Sequence, residues 1–184
     1  MSKKILIVDD RPLRRQNLLK EEWNNISSLD NVEQMTCMPS EDEVESFDIV
    51  AVHRSYVMSH DYYDYLIKLV KTKDKYVILF SGGISQYLLE ESGKLLTLPV
   101  VDFYSEDLYQ FCSELTESDD VKLMKLVFGT ERWKLPILMK IRELTWLDPE
   151  GDDDDSQDKI SELQQESGVT DLSSIDDLIS SLIQ

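Results

Sequence analysis

Cysteine is nearly missing from this chain. Only Cys37 and Cys112 occur in 184 residues, on segments expected to be apolar faces and without CxxC spacing. That argues against a disulfide scaffold or a cysteine zinc site and suits a reducing, cytoplasmic setting. Long apolar runs are missing as well. The longest, at 76–80 and 95–101, fall far short of the about 20 residues that cross a bilayer, so no membrane partner is expected. Met1-Ser2-Lys3-Lys4 passes directly into a strand-like run without a small-residue cleavage site, so no secretory signal is expected. Positive charge is the third scarcity. The 19 Lys+Arg face 37 Asp+Glu, a net of −18, which opposes direct binding to nucleic-acid phosphates.

The charge is unevenly spread. Residues 1–120 hold 12 basic and 23 acidic side chains, 121–147 hold six and two, and 148–184 hold one and twelve. Five short apolar runs alternate with helical patterns up to about residue 118. Ile5-Leu6-Ile7-Val8 is apolar throughout, as a strand buried on both faces should be. Pro12 suits the first turn of a helix whose face carries Leu19, Trp23 and Ile26. A weaker strand spans 32–38, and Ser40-Glu41-Asp42-Glu43 has the spacing of a capping box. Ile49-Val50-Ala51-Val52 is the third strand. Tyr63, Leu66, Ile67 and Val70 mark the next helix, and 76–80 is the fourth strand. Ile84, Tyr87 and Leu88 are expected to start a helix, and 95–101 is the fifth strand. Leu108, Phe111, Cys112 and Leu115 close the region on a helix with i, i+3, i+4, i+7 spacing. Strands alternating with helices predict right-handed crossovers. The fold class expected is α/β, a doubly wound five-stranded parallel sheet in the order 2-1-3-4-5, with a C-terminal helical extension.

The opening Ile7-Val8-Asp9-Asp10, with Pro12 close behind, resembles the response-regulator receiver domain over residues 3–118. In that family two first-strand acids hold Mg²⁺ beside a phosphorylatable aspartate on the third strand. A hydroxyl ends the fourth strand, and a lysine near the fifth neutralises the product. Asp9 and Asp10 match the acids and Ser81 matches the hydroxyl. His53 stands where the acceptor would be, and Asp102, within Val101-Asp102-Phe103-Tyr104, stands where the lysine would be. The resemblance therefore implies a degenerate receiver pocket of Asp9, Asp10, His53, Ser81 and Asp102 without catalytic residues, metal or cofactor. One lost carboxylate weakens a hard-cation site, and an acid in place of the lysine repels phosphate. His53 is expected as a strand-end imidazole hydrogen-bonded to Asp9 or Asp10. Neighbouring acids would raise its pKa if it sensed pH. Asp10 is also placed to cap the helix begun by Pro12. Leu79-Phe80-Ser81-Gly82-Gly83-Ile84-Ser85 is similar to the SGGxDS loop of ATP pyrophosphatases. Ser85-Gln86 replaces its Asp-Ser and the loop follows the fourth strand, so a tight turn is expected instead.

Beyond the receiver-like segment 1–118, residues 119–147 form a basic, apolar extension read as two helices broken at Gly129-Thr130. An acidic structureless linker is expected at 148–158, followed by an acidic amphipathic tail at 159–184. Ile175, Leu178, Ile179 and Leu182 give the tail a narrow apolar stripe. It is too short to stand alone in water and suits a groove on another protein or on the chain's own body. The expected function is a non-enzymatic regulatory or adaptor subunit acting on another protein, and self-association is compatible with it. Tyr87, Tyr104, Tyr109, Trp133 and the tail stripe are the partner-binding candidates. The alternatives are a phosphotransfer regulator with an atypical acceptor and an acidic DNA mimic.

Overall fold

A computed structural model of the chain describes residues 3–19, 22–60 and 62–183. In chain order its elements are β1 (Ile5–Val8), α1 (Pro12–Leu19), α2 (Glu22–Ser27), β2 (Val32–Met35), α3 (Glu41–Val44), β3 (Ile49–His53), α4 (Arg54–His60), α5 (Tyr63–Lys73), β4 (Tyr76–Ser81), β5 (Leu88–Glu90) and β6 (Leu95–Pro99). There follow α6 (Val100–Phe103), α7 (Glu106–Glu114), α8 (Lys125–Arg132), α9 (Leu135–Leu147), α10 (Asp154–Ser167) and α11 (Ile175–Ile183). The helix expected from Pro12 through Ile26 is described as α1 and α2, with positions 20 and 21 between them outside the described residues. None of the helices is long and apolar enough to cross a membrane, among the described residues.

The chain divides into two compact units, Met1–Val127 and Phe128–Gln184. The first is α/β, built on a six-stranded, mostly parallel sheet in the order β2-β1-β3-β4-β6-β5. Five strands were expected, all parallel. The sixth, β5, runs antiparallel to β6, with Leu88 opposite Thr97 and Glu90 opposite Leu95. It replaces the helix expected from Ile84, Tyr87 and Leu88. Positive φ at Glu91, Ser92 and Gly93 turns the chain back onto β6, and that reversal is what makes the hairpin.

Successive residues along each strand point to opposite faces, so the sheet carries two cores. On one face Ile5, Ile7, Ile49, Ile78, Phe80 and Leu96 pack with side chains of α1, α2, α6 and α7. On the other, Leu6, Val8, Val50, Val52, Val77 and Leu79 pack with Val44, Val57, Leu66 and Leu69 of α3, α4 and α5. The buried face of α5 is Leu66, Leu69 and Val70, while Tyr63, expected inside, is exposed. Cys112 is buried, but Cys37 is exposed rather than on an apolar face, because β2 stops at Met35.

Val121, Leu123 and Leu126 join the first face's core, so the start of the basic extension belongs to the sheet unit. The expected break at Gly129 is present, at φ 72° inside α8. In the second unit, α9 to α11 bury Leu138, Ile141, Ile160 and Ile179 against one another. Part of the expected acidic linker is helical here. Asp153 is the N-cap of α10, and Asp154 and Asp155 lie in its first turn, where negative charge favours a helix start. Asp148 accepts hydrogen bonds from the Asp152 and Asp153 N–H groups and the Gln157 amide, which orders the rest.

Candidate functional site

The C-terminal ends of the parallel strands converge, since β1, β3 and β4 are adjacent and in register: Val8 faces Val52, His53 faces Phe80, and Ser81 faces Pro99. In an open α/β sheet the crevice lies where crossovers leave in opposite directions, here between β1 and β3. Asp9 extends β1, its N–H donating to the Met35 carbonyl at 3.0 Å. Its side chain is completely buried.

A buried carboxylate is tolerated only when paired and hydrogen-bonded. Asp9 is both. Arg14 Nη1 donates to Oδ1 at 3.0 Å, the Arg11 N–H donates to the same oxygen at 3.0 Å, and Tyr104 Oη donates to Oδ2 at 2.9 Å. Arg14 Nη2 lies 4.0 Å from Asp10, whose side chain is partly exposed. One guanidinium thus bridges both acids. The Arg11 N–H, just before α1, goes to Asp9, and the hydrogen bonds of the described residues include no capping contact from Asp10 to α1.

Tyr104 was a candidate surface contact and is instead buried, stacked edge-on against Trp23 and Phe80. Burial and the adjacent Asp9 carboxylate raise its phenol pKa well above the ordinary value, so it stays a donor. Phe80 also stacks face to face on Phe103 with centroids 4.0 Å apart and meets the His53 ring edge-on at 5.5 Å. Such pairs contribute about 0.5–1.5 kcal/mol each beyond area burial, and here they fix both His53 and Tyr104.

His53 bonds neither Asp9 nor Asp10, contrary to expectation. Its Nδ1 lies 2.6 Å from Ser55 Oγ and accepts the Ser55 backbone N–H at 3.3 Å. The proton of the neutral ring is therefore on Nε2. Burial holds the imidazole below its usual pKa and Arg14 pushes the same way; Asp9 and Asp10 oppose without reversing it. The expected upward shift is absent because burial of the ring, and after it the Arg14 charge, outweigh the two acids. With the folded pKa depressed below 6.5, the unfolded chain binds more protons in the interval between them. Stability from this group is complete above about pH 6.5 and is lost as pH falls toward the folded pKa. Replacing His53 with Gln should flatten the pH dependence of the urea midpoint in that interval, and an unchanged slope would refute it.

Ser81 ends β4, with Gly83 N–H 3.4 Å from its Oγ, and a tight turn follows as expected. Asp102 lies on α6, hydrogen-bonded by Tyr87 Oη at 3.0 Å and apart from the buried acid. Tyr87 and Tyr109 are exposed, whereas Trp133 is buried. Ile179 is buried too, and Ile175, Leu178 and Leu182 pack beside it in the second unit's core, so that unit covers most of the tail stripe itself.

A pocket of about 310 Å³ opens beside these groups, lined by Arg11, Arg14, His53, Ser55, Gly82 and Val100. Neither arginine nor Ser55 was singled out in the sequence. Arg11-Pro12-Leu13-Arg14-Arg15 directly after two acids was the available signal, because Arg14 stands i+4 from Asp10. Among the described residues no group of three His, Cys, Asp or Glu is placed to hold a metal ion. Searches against protein-family models, curated proteins and solved structures found no match to this chain.

Proposed function

We propose that the protein is a receiver-like regulatory or adaptor subunit that acts through protein–protein contacts and not by phosphoryl transfer. The observation that carries this reading is the closed state of Asp9. Both carboxylate oxygens accept from Arg14, the Arg11 N–H and Tyr104, and the strand-end position of an acceptor is held by a neutral histidine. Magnesium, which receiver chemistry implies, does not fit these residues. Six oxygen ligands at short range are its norm, and it would have to displace a guanidinium from a buried carboxylate. Arg14 supplies the positive charge that a divalent ion would bring.

The contact surface is best sought at the β5 edge. Tyr87, Leu88 and Leu89 are exposed there, as is Val101 on α6, which the Tyr87–Asp102 hydrogen bond ties to this edge; Tyr109 on α7 is exposed as well. Large apolar side chains on a solvated surface favour a protein partner. Incubation with labelled acetyl phosphate and Mg²⁺ should leave no stable label. Incorporation that disappears in His53→Ala would instead establish an atypical acceptor.

A further inference from the structure

Four of the six residues lining the pocket beside Asp9, namely Arg11, Arg14, His53 and Ser55, carry side-chain hydrogen-bond donors. The Arg11 guanidinium has no carboxylate partner among the described residues. Arg14 commits Nη1 to Asp9, and a guanidinium has five N–H donors, so others remain. His53 adds Nε2–H, because its Nδ1 is spent as the acceptor of Ser55. No carboxylate is among the lining residues: Asp9 is fully buried against Arg14, and Asp10 lies 4.0 Å from the same guanidinium. Donors without acceptors are complementary to an anion, and planar guanidinium groups match the oxygen spacing of carboxylate or phosphate. The site also occupies the sheet's switch point, fed by the ends of β1, β3, β4 and β6. Its volume lies at the lower end for small-molecule pockets, about 300–1,000 Å³.

We propose that this pocket binds a small molecule through an oxyanion, a phosphate or carboxylate group, held non-covalently by Arg11, Arg14 and His53 and without a metal ion. Arg11 provides the uncommitted charge. Arg14 is held by its hydrogen bond to Asp9 and the nearby Asp10 charge, so it presents its remaining donors with little loss of side-chain freedom on binding. His53 donates as a neutral ring. The inference deepens the regulatory reading by giving the unphosphorylated domain a chemical input, and it rests on that reading only in requiring no metal.

The test is a ¹H–¹⁵N titration of the full chain with inorganic phosphate in EDTA at constant ionic strength, repeated with malonate. Saturable shifts centred on Arg11, Ser55 and Gly82 are expected with at least one of the two anions, and which one binds identifies the oxyanion. Arg11→Gln, at an exposed position outside the core, should fold normally and weaken binding about tenfold or more. The proposal is overturned by the absence of saturable shifts with either anion, or by equal affinity in Arg11→Gln. Binding that requires Mg²⁺ overturns it together with the proposed function. Absent binding without any labelling by acetyl phosphate overturns the pocket's ligand alone.

Discussion

Asp9→Ala should lower the unfolding free energy by about 3–5 kcal/mol, read as a fall in urea midpoint at unchanged slope. The side chain is wholly buried and is the shared acceptor for Arg14, the Arg11 N–H and Tyr104. Removing it leaves a mostly covered guanidinium with only its 4.0 Å contact to Asp10, and a buried phenol beside it. Each orphaned donor costs about 1–3 kcal/mol, more where charged. Total stability for a domain of this size is about 5–15 kcal/mol, so the loss is a large fraction. Asp9→Asn keeps one acceptor oxygen and should cost less. Adding Arg14→Met to Asp9→Ala should recover part of the loss, because the orphaned charge goes with it. The sign is decisive. An acid kept for a metal ion repels its neighbour in the metal-free protein, and removing it stabilises the fold. A more stable Asp9→Ala would mean that Asp10 and Asp9 are poised for a cation, and the proposed function would fall with it.

Much of the sheet was legible because burial on both faces leaves a simple trace. Ile5-Leu6-Ile7-Val8 and Ile49-Val50-Ala51-Val52 are apolar at every position, and both strands are buried throughout. The face of α7 was legible through Leu108, Phe111 and Cys112, which recur at helical spacing and are buried. The hairpin strand β5 was not. Three exposed residues are too few to show alternation, and Leu88 beside Tyr87 mimicked one turn of an apolar helix face. At the site the anionic half was readable from Asp9-Asp10 and the strand ends. The cationic half was hidden because arginines near acids on a helix usually mark a solvated surface. Only the depth of Asp9 makes Arg14 structural. Tyr104 was misplaced for a related reason, since an aromatic hydroxyl suits an interface and a buried carboxylate equally well.

Ile179→Ala should unfold the second unit. The unit runs from Phe128 to Gln184, and among the described residues the centre of its α9–α11 cluster is Leu138, Ile141, Ile160 and Ile179, with partly buried side chains around them. Removing a buried isoleucine to alanine costs about 2–5 kcal/mol in lost transfer energy and cavity. A helical core this small, in a segment without cysteine, supplies only about 3–5 kcal/mol. The two magnitudes are comparable, so the truncation should remove most of the unit's stability. Amide hydrogen exchange reads this directly: protection in α9, α10 and α11 should collapse together. Ile183, on the same helix but 58% exposed, is the control, and Ile183→Ala should leave protection intact. The surface pair Arg142–Asp176, at 3.3 Å with both side chains exposed, is worth too little to hold α11 when the apolar contact is gone. If α11 were instead a segment held in reserve for a partner, Ile179→Ala would leave exchange in α9 and α10 unchanged. The contact of α11 with α9 would then be incidental, and the tail stripe would return as a docking element.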